Sequence, residues 1–313
     1  MRSAEFETFA KINLTLDVSG KRPDGYHDLV TVMQSISLSD LVTVEVRDEP
    51  GIQLVCSAPY IPTDGRNTAW RAAQRFLEAA RLDAGLSIVI DKRIPIAAGL
   101  AGGSSDAAGV LSALNWLFPD RVDHDTLFAI AAAVGADVPF CLAGGTILCT
   151  GIGDVLAPQP TLAGWPLILI KAPFGLSTPE VFRRFCLDQV EQRPDHDAFL
   201  LALGRQDWPA MSSACGNVLE SVAFAMHPQL RAILNRLAET GTLLARMSGS
   251  GPTLFGVFAD VHTRDEAFDA LANLTASGFT RYKAETVAGG PRYLSSYEVP
   301  VLPDFSDLPG LLT

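Results

Sequence analysis

No window of this 313-residue sequence approaches eighteen uninterrupted apolar residues, so no helix is expected to cross a membrane. Cysteines are few, odd in number and scattered: Cys56, Cys141, Cys149, Cys186 and Cys215 form no C-x-x-C pair and no zinc spacing. They read as reduced core residues, which excludes a disulfide scaffold and points to the cytoplasm. A basic surplus is missing as well. The 24 basic residues against 35 acidic ones leave a net charge of −11, which repels nucleic acid and anionic membrane surfaces, so neither is expected as a partner. An anionic ligand would have to find local positive potential in helix N-termini, backbone N–H groups and a few lysines. The opening "MRSAEFETFAKINLTLDV" carries acidic residues where a secretory signal wants a basic start and an apolar core, so export is not expected. What the chain does have is 48% apolar and 19% charged residues over a length sufficient for two cores.

The common nucleotide loops are absent too. One stretch, "IPIAAGLAGGSSDAAGVLSALNWLF" (94–118), joins an apolar strand to an alanine-rich helix, but no lysine follows its glycines as a Walker A loop requires. The dinucleotide pattern G-x-G-x-x-G is missing, and Asp106 stands where a nucleophile elbow around Ser104 needs glycine. What remains is Pro95-Ile96-Ala97-Ala98-Gly99-Leu100-Ala101-Gly102-Gly103-Ser104-Ser105, with a helix expected to start near Ser105 or Asp106 and end at Pro119. Glycines let backbone approach a ligand, and a helix's first turn presents unpaired N–H groups and partial positive charge. The stretch can therefore hold phosphate, with Ser104 and Ser105 able to donate to it or to help hold a phosphate-bound Mg2+. It can equally be a tight turn with an ordinary serine cap; other islands have to decide.

Three islands stand apart from it. "AKINLTLDV" places Lys11 and Asn13 on one face of an apolar strand, since residues two apart share a side; a lone lysine there otherwise reads as an exposed face. "GADVPF" places Asp137 before Pro139, where the plain reading is an N-cap of a new helix. "MSGSGPTLF" offers Gly249, Ser250 and Gly251 before a strand, the plain reading being a hairpin turn.

Along the chain, strands are expected at 11–18, 42–46, 51–56 and 86–90, with a turn at Pro23-Asp24-Gly25 and a helix over 67–81 capped by Asn67 or Thr68. A further helix should end at Gly135. Pro158, Pro160 and Pro166 crowd a linker, which places a domain boundary near 160: an N-terminal domain over 1–160 and a C-terminal one over 161–313. The second half offers "PLILIKAP", helical "TPEVFRRFCL", a polar stretch at 188–198, a helix near "HPQLRAILNRLAET" and the strand pair "LLARMSGSGPTLFGVFA". Strands and helices without a regular βαβ rhythm argue for an α+β architecture. The proline-rich tail from about 297 should lie on the surface.

In this order the islands resemble the three signature motifs of the galactokinase, homoserine kinase, mevalonate kinase and phosphomevalonate kinase (GHMP) superfamily, over most of the chain. Within it, "AKINLTLDVSGKRPDGYHDLVTVMQSISLSD", "PIAAGLAGGSSDAAG", "GADVPF", "STPEVF" and "ARMSGSGPTLF" resemble the branch that phosphorylates 4-diphosphocytidyl-2-C-methyl-D-erythritol with ATP in the non-mevalonate isoprenoid pathway. "DGYH" is the island specific to that branch. The resemblance implies a two-domain fold, a ribosomal-protein-like nucleotide domain followed by a ferredoxin-like one, with ATP and the cytidine diphosphate alcohol as its small-molecule partners. It implies Asp137 as the base at the C2 hydroxyl, Lys11 beside it, and the loop from Pro95 to Ser105 on the triphosphate. Asn13 would position the methylerythritol end, Tyr26 and His27 would receive the cytosine with Phe182 on the other face of that base, and Ser105 is the candidate protein ligand of Mg2+. Ala101 departs from the family's glycine, which is tolerable if its φ is negative. A different kinase of the superfamily, of mevalonate or homoserine type, or a non-catalytic ligand-binding protein on the same scaffold, are the competing readings; retention of Lys11 and Asp137 argues against the latter.

Overall fold

The alternation that opens the chain extends much further than its cleanest stretch suggests. In the computed structural model, which describes residues 2–190 and 192–294, β1 (Ser3–Lys21) and β2 (His27–Arg47) form one long antiparallel hairpin. The expected strand at 11–18 is only the middle of β1, and apart from the turn most of 19–41, where no element is expected, is strand. Hydropathy hid this because Thr31, Gln34 and Ser35 are polar yet buried, their hydrogen bonds being met inside. The expected turn at Pro23-Asp24-Gly25 is there: Gly25 donates to the Arg22 carbonyl (3.1 Å), and Arg22 to that of Tyr26 (2.8 Å).

Next come β3 (Ile52–Cys56), α1 (Thr68–Ala80) and β4 (Gly85–Asp91), with β3 parallel to β4 and α1 as the crossover. Asn67 caps α1, its side chain accepting from the Ala69 N–H. One βαβ unit thus sits in an otherwise antiparallel sheet. Then follow α2 (Gly102–Leu117), α3 (His124–Val134), α4 (Val138–Ala143), β5 (Thr146–Thr150) and β6 (Val155–Pro158). β2 is long enough to pair with β5 through 31–34 and with β4 through 41–47. These helices cover the sheet over a core that includes Phe76, Leu86, Ile88, Leu111 and Phe140. Helix α2 lies unusually close to β1: a Cβ on Gly109 would stand 2.3 Å from Thr8 Cγ2.

The second half comprises β7 (Pro166–Lys171), α5 (Thr178–Arg184), α6 (His196–Arg205), α7 (Trp208–Ala214), α8 (Glu220–Met226), α9 (Pro228–Ala238), β8 (Leu244–Met247), β9 (Leu254–Val257), α10 (Val261–Ala270), β10 (Thr280–Glu285) and β11 (Arg292–Leu294). A four-stranded antiparallel sheet, ordered β10-β7-β9-β8, carries it, while β11 returns to pair with β1 at the edge of the first sheet. The run 196–226, of which only a polar stretch was anticipated, holds three helices, two of them capped by Asp195 and Asp207. Between the two sheets, Ile12 and Leu14 of β1 share a core with Leu167, Leu169 and Phe199. That leaves Lys11 and Asn13 on the opposite face of the strand.

Cys141, Cys149 and Cys215 are buried, but Cys186 is exposed and Cys56 only half-buried, so the expectation of five core cysteines holds for three; all five are free thiols. Among the described residues no helix is long and apolar enough to cross a membrane. The tail expected at the surface lies outside the described residues.

Candidate active site

The glycine loop leaves β4 at Asp91 and enters α2 at Gly102, three residues before the expected Ser105. The reason lies in Ala101, which takes the left-handed conformation (φ 56°, ψ 30°) and whose carbonyl accepts the first helical bond from Ser105 N–H at 2.9 Å. The N–H groups of Gly102, Gly103 and Ser104 precede that bond and are free for an anion. The φ at Ala101 is positive, so the condition under which alanine would replace the family's glycine without strain is not met, and Ala97 (φ 52°) shares this conformation. Gly99 is indispensable here: φ is 75°, and a Cβ would lie 2.3 Å from the Ser248 carbonyl oxygen. Ser248 Oγ in turn donates to the Gly99 carbonyl at 2.9 Å. The S-G-S-G island is thus a hairpin turn between β8 and β9, as its plain reading had it, and also a buttress of the loop. Ser105 is turned away: buried, it donates through Oγ to the Phe9 carbonyl at 2.8 Å.

Below the loop lies an ionic cluster that the sequence reading missed. Lys92 Nζ donates to Asp40 Oδ2 (2.5 Å) and to Asp106 Oδ2 (2.9 Å), all three side chains being buried. Asp40 Oδ1 accepts from the N–H groups of Arg93 and Ile94 at 2.5 and 2.8 Å, so one carboxylate holds the start of the loop. Burial pushes the Asp106 carboxyl up to about 8, against the pull of Lys92 and with the repulsion of Asp40. For Lys92, burial opposes the charge, but Asp106 and then Asp40 overcome it and raise the ammonium above its ordinary value. Both directions describe two buried acids sharing one cation, with Asp106 inclined to keep its proton. A signal was available: a lysine closing a buried strand, in "IDKRIP", has to find a partner inside.

Lys11 is no surface lysine. It is 4% exposed, its Nζ donates to Asn13 Oδ1 at 2.7 Å and lies 3.8 Å from Asp137 Oδ2. Asp137 occupies the N-cap position of α4, yet its side chain makes no capping bond, contrary to the plain reading. The carboxylate is left facing the cleft, one-third exposed, beside an ammonium. The structure thus brings Lys11, Asn13 and Asp137 together against the loop: Lys11 N–H donates to the Leu100 carbonyl at 3.2 Å.

At the other end of the cleft, the His27 ring stacks on Phe182 at 5.1 Å and 30°, while Tyr26 stands 60% exposed on the β1–β2 turn. Burial, and then the charge of Lys21, hold the His27 imidazole below its ordinary value, which favours the neutral ring. Thr178 at the start of α5, which carries Phe182, shares a hydrogen bond with Ser250 at 2.7 Å. All these groups line one cleft of about 1090 Å³ that runs from Ile61, Arg66 and Asn67, past the loop and Asp137, to Tyr26 and Phe182. The Ser105 hydroxyl, the expected protein ligand of Mg2+, is committed to the Phe9 carbonyl, and among the described residues no group of three or more His, Cys, Asp or Glu side chains is placed to hold a metal ion by itself.

The model of the GHMP kinases N terminal domain matches residues 67–145, and that of the GHMP kinases C terminal matches 199–276. The 4-diphosphocytidyl-2-C-methyl-D-erythritol kinase of Brevibacillus brevis is 45% identical over 270 residues, covering 86% of this chain and 92% of its own. A crystal structure of 4-(cytidine 5'-diphospho)-2C-methyl-D-erythritol kinase is 37% identical with a TM-score of 0.74, over 91% of this chain and 100% of that one. Homoserine kinase from Cytophaga hutchinsonii reaches a TM-score of 0.78 at 18% identity, over 94% of this chain and 98% of its own, and shares the fold.

Proposed function

Because the chain belongs to the 4-diphosphocytidyl-2-C-methyl-D-erythritol kinase family of the GHMP kinases, we propose that it transfers the γ-phosphoryl group of ATP to the C2 hydroxyl of 4-diphosphocytidyl-2-C-methyl-D-erythritol, releasing ADP. The observation that carries the chemistry is the buried Lys11 between Asn13 and Asp137, set against the glycine loop. Phosphoryl transfer asks little covalent work of a protein; it needs an oriented hydroxyl, neutralised phosphates and exclusion of water. In this reading Asp137 takes the hydroxyl proton as the oxygen attacks the γ-phosphorus and the bond to ADP breaks. The Lys11 ammonium and the N–H groups of Gly102, Gly103 and Ser104 balance the charge on the transferring group. Asn13 orients the alcohol. Tyr26, His27 and Phe182 take the cytosine, the rings by stacking and the neutral imidazole by hydrogen bonding. Pro95 to Ser104 take the triphosphate, and Ile61, Arg66 and Asn67, at the far side of the loop, take the nucleoside of ATP.

Mg2+ arrives on the phosphates, with no step assigned to a protein ligand. The division into a nucleotide-holding unit and a second one falls near residue 160, supported by the first sheet's last hairpin ending at Pro158 and β7 starting at Pro166, with β11 alone among the described strands returning to the first sheet. Five free thiols support a reducing, cytoplasmic setting. The test is ADP release with Mg2+ and ATP, comparing the cytidine alcohol with mevalonate, phosphomevalonate, homoserine and galactose, and locating the new phosphate by NMR. Turnover confined to the cytidine alcohol, phosphorylated at C2, is expected; turnover with another alcohol alone would move the chain to a different branch.

A further inference from the structure

The strand that carries Lys11 and Asn13 is irregular where it matters. Its register against β2 shifts between Asn13 and Thr15, and two buried threonines take up the backbone groups freed there. Thr15 Oγ1 accepts from Val32 N–H at 3.0 Å, and Thr31 Oγ1 donates to the Thr15 carbonyl at 2.5 Å. A hydroxyl has a single proton. With that proton on Thr15, Thr31 offers only lone pairs to the Asn13 side chain, whose Nδ2 lies 2.8 Å away. An amide that points its NH2 at Thr31 turns its Oδ1 the other way, where it accepts from Lys11 Nζ at 2.7 Å. Reversed, it would set NH2 against an ammonium, donor against donor.

From this chain of contacts we infer that Thr31 is a positioning residue for phosphoryl transfer: its hydroxyl, committed to the bulge, fixes the Asn13 amide and thereby holds the Lys11 ammonium beside Asp137. The inference rests on reading Lys11 and Asp137 as the reacting pair. Thr31 is fully buried and borders the cleft, so it acts through Asn13.

Thr31→Val keeps the shape and removes the hydroxyl; Thr31→Ser keeps the hydroxyl. Thr31→Val should lower kcat about tenfold, in line with losing one buried hydrogen bond that matters in the transition state, while KM for ATP and for the alcohol stay within about twofold. Thr31→Ser should retain most of the rate, and in an Asn13→Ala background Thr31→Val should cost nothing further. By NMR, the Asn13 side-chain amide protons should exchange slowly with solvent in the wild type and in Thr31→Ser, and quickly in Thr31→Val. Unchanged kcat in Thr31→Val, an undiminished loss in the Asn13→Ala background, or a joint rise of both KM values would overturn the inference. Should Thr31→Val not fold, fast exchange of the Asn13 amide in the wild type would do the same. Wild type that turns over none of the alcohols sinks the proposed activity and leaves the amide measurement standing, so the two failures are told apart.

Discussion

The two ends of the cleft are built by different means. At the end proposed for phosphate the groups on offer are backbone, held by Gly99 packed on Ser248 and by the buried Lys92 side chain shared between Asp40 and Asp106. At the end proposed for the base they are side chains on an exposed turn, Tyr26 above all, held by Arg22 to Asp24 and Asp28 in ion pairs that face solvent. Charge recognition in a water-poor site requires N–H groups aimed in advance, because their reorientation would cost what the contact gains. Stacking on a flat base tolerates adjustment. The phosphate end therefore ties recognition to stability, whereas the base end leaves them separable.

Asp137→Asn should lower kcat by about 10²–10⁴, the usual worth of a positioned base, and leave ATP affinity by calorimetry nearly unchanged. An equal loss of ATP binding would make Asp137 part of the loop's support. Lys92→Met leaves the buried Asp40 carboxylate without its cation and should cost about 3–5 kcal/mol, seen as a fall in Tm together with a raised KM for ATP alone. If Tm holds, the cluster is not what fixes the loop. Tyr26→Ala should cost about 1–3 kcal/mol of stacking, read as KM for the cytidine alcohol, with Tm and KM for ATP steady. A fall in Tm there would erase the contrast between the ends.

The sequence made these ends unequally legible. The phosphate loop could be read because glycine is needed where backbone must take positive φ and pack closely, as at Gly99, and composition records that directly. Lys92, Asp40 and Asp106 could not, because 52 residues separate Lys92 from Asp40 and only the β2–β4 pairing brings them together. The Asp137 carboxylate was visible as a residue but not as a free one, since the same spacing caps helices. Thr31 was hidden by its type: a threonine in a β-strand is unremarkable until the bulge opposite it is known. In the second half, α6 to α8 escaped because the polar segment leading into them masks the apolar faces that Phe199, Met211 and Phe224 bury. The strand pair around the S-G-S-G turn was plain, β9 being a continuous apolar run and β8 one interrupted only by Arg246.

The smallest effect tests whether the phosphate end is backbone alone. Ala101 sits at φ 56°, a conformation that costs a residue with a Cβ about 1–2 kcal/mol, so Ala101→Gly should relieve that cost. Two terms oppose the relief. Glycine loosens the unfolded chain by about 0.4–1 kcal/mol, and the Ala101 methyl, which packs against the first core, forfeits part of the ~0.8 kcal/mol of a buried carbon. The balance is a gain of about 0.5 kcal/mol, a rise in Tm of one or two degrees, with KM for ATP unchanged because Gly99, Ser248 and the Lys92 cluster already dictate the loop's path. A fall in Tm would mean that the methyl's packing outweighs the backbone cost, and a side chain would then be steadying the loop at the very residue that starts the helix.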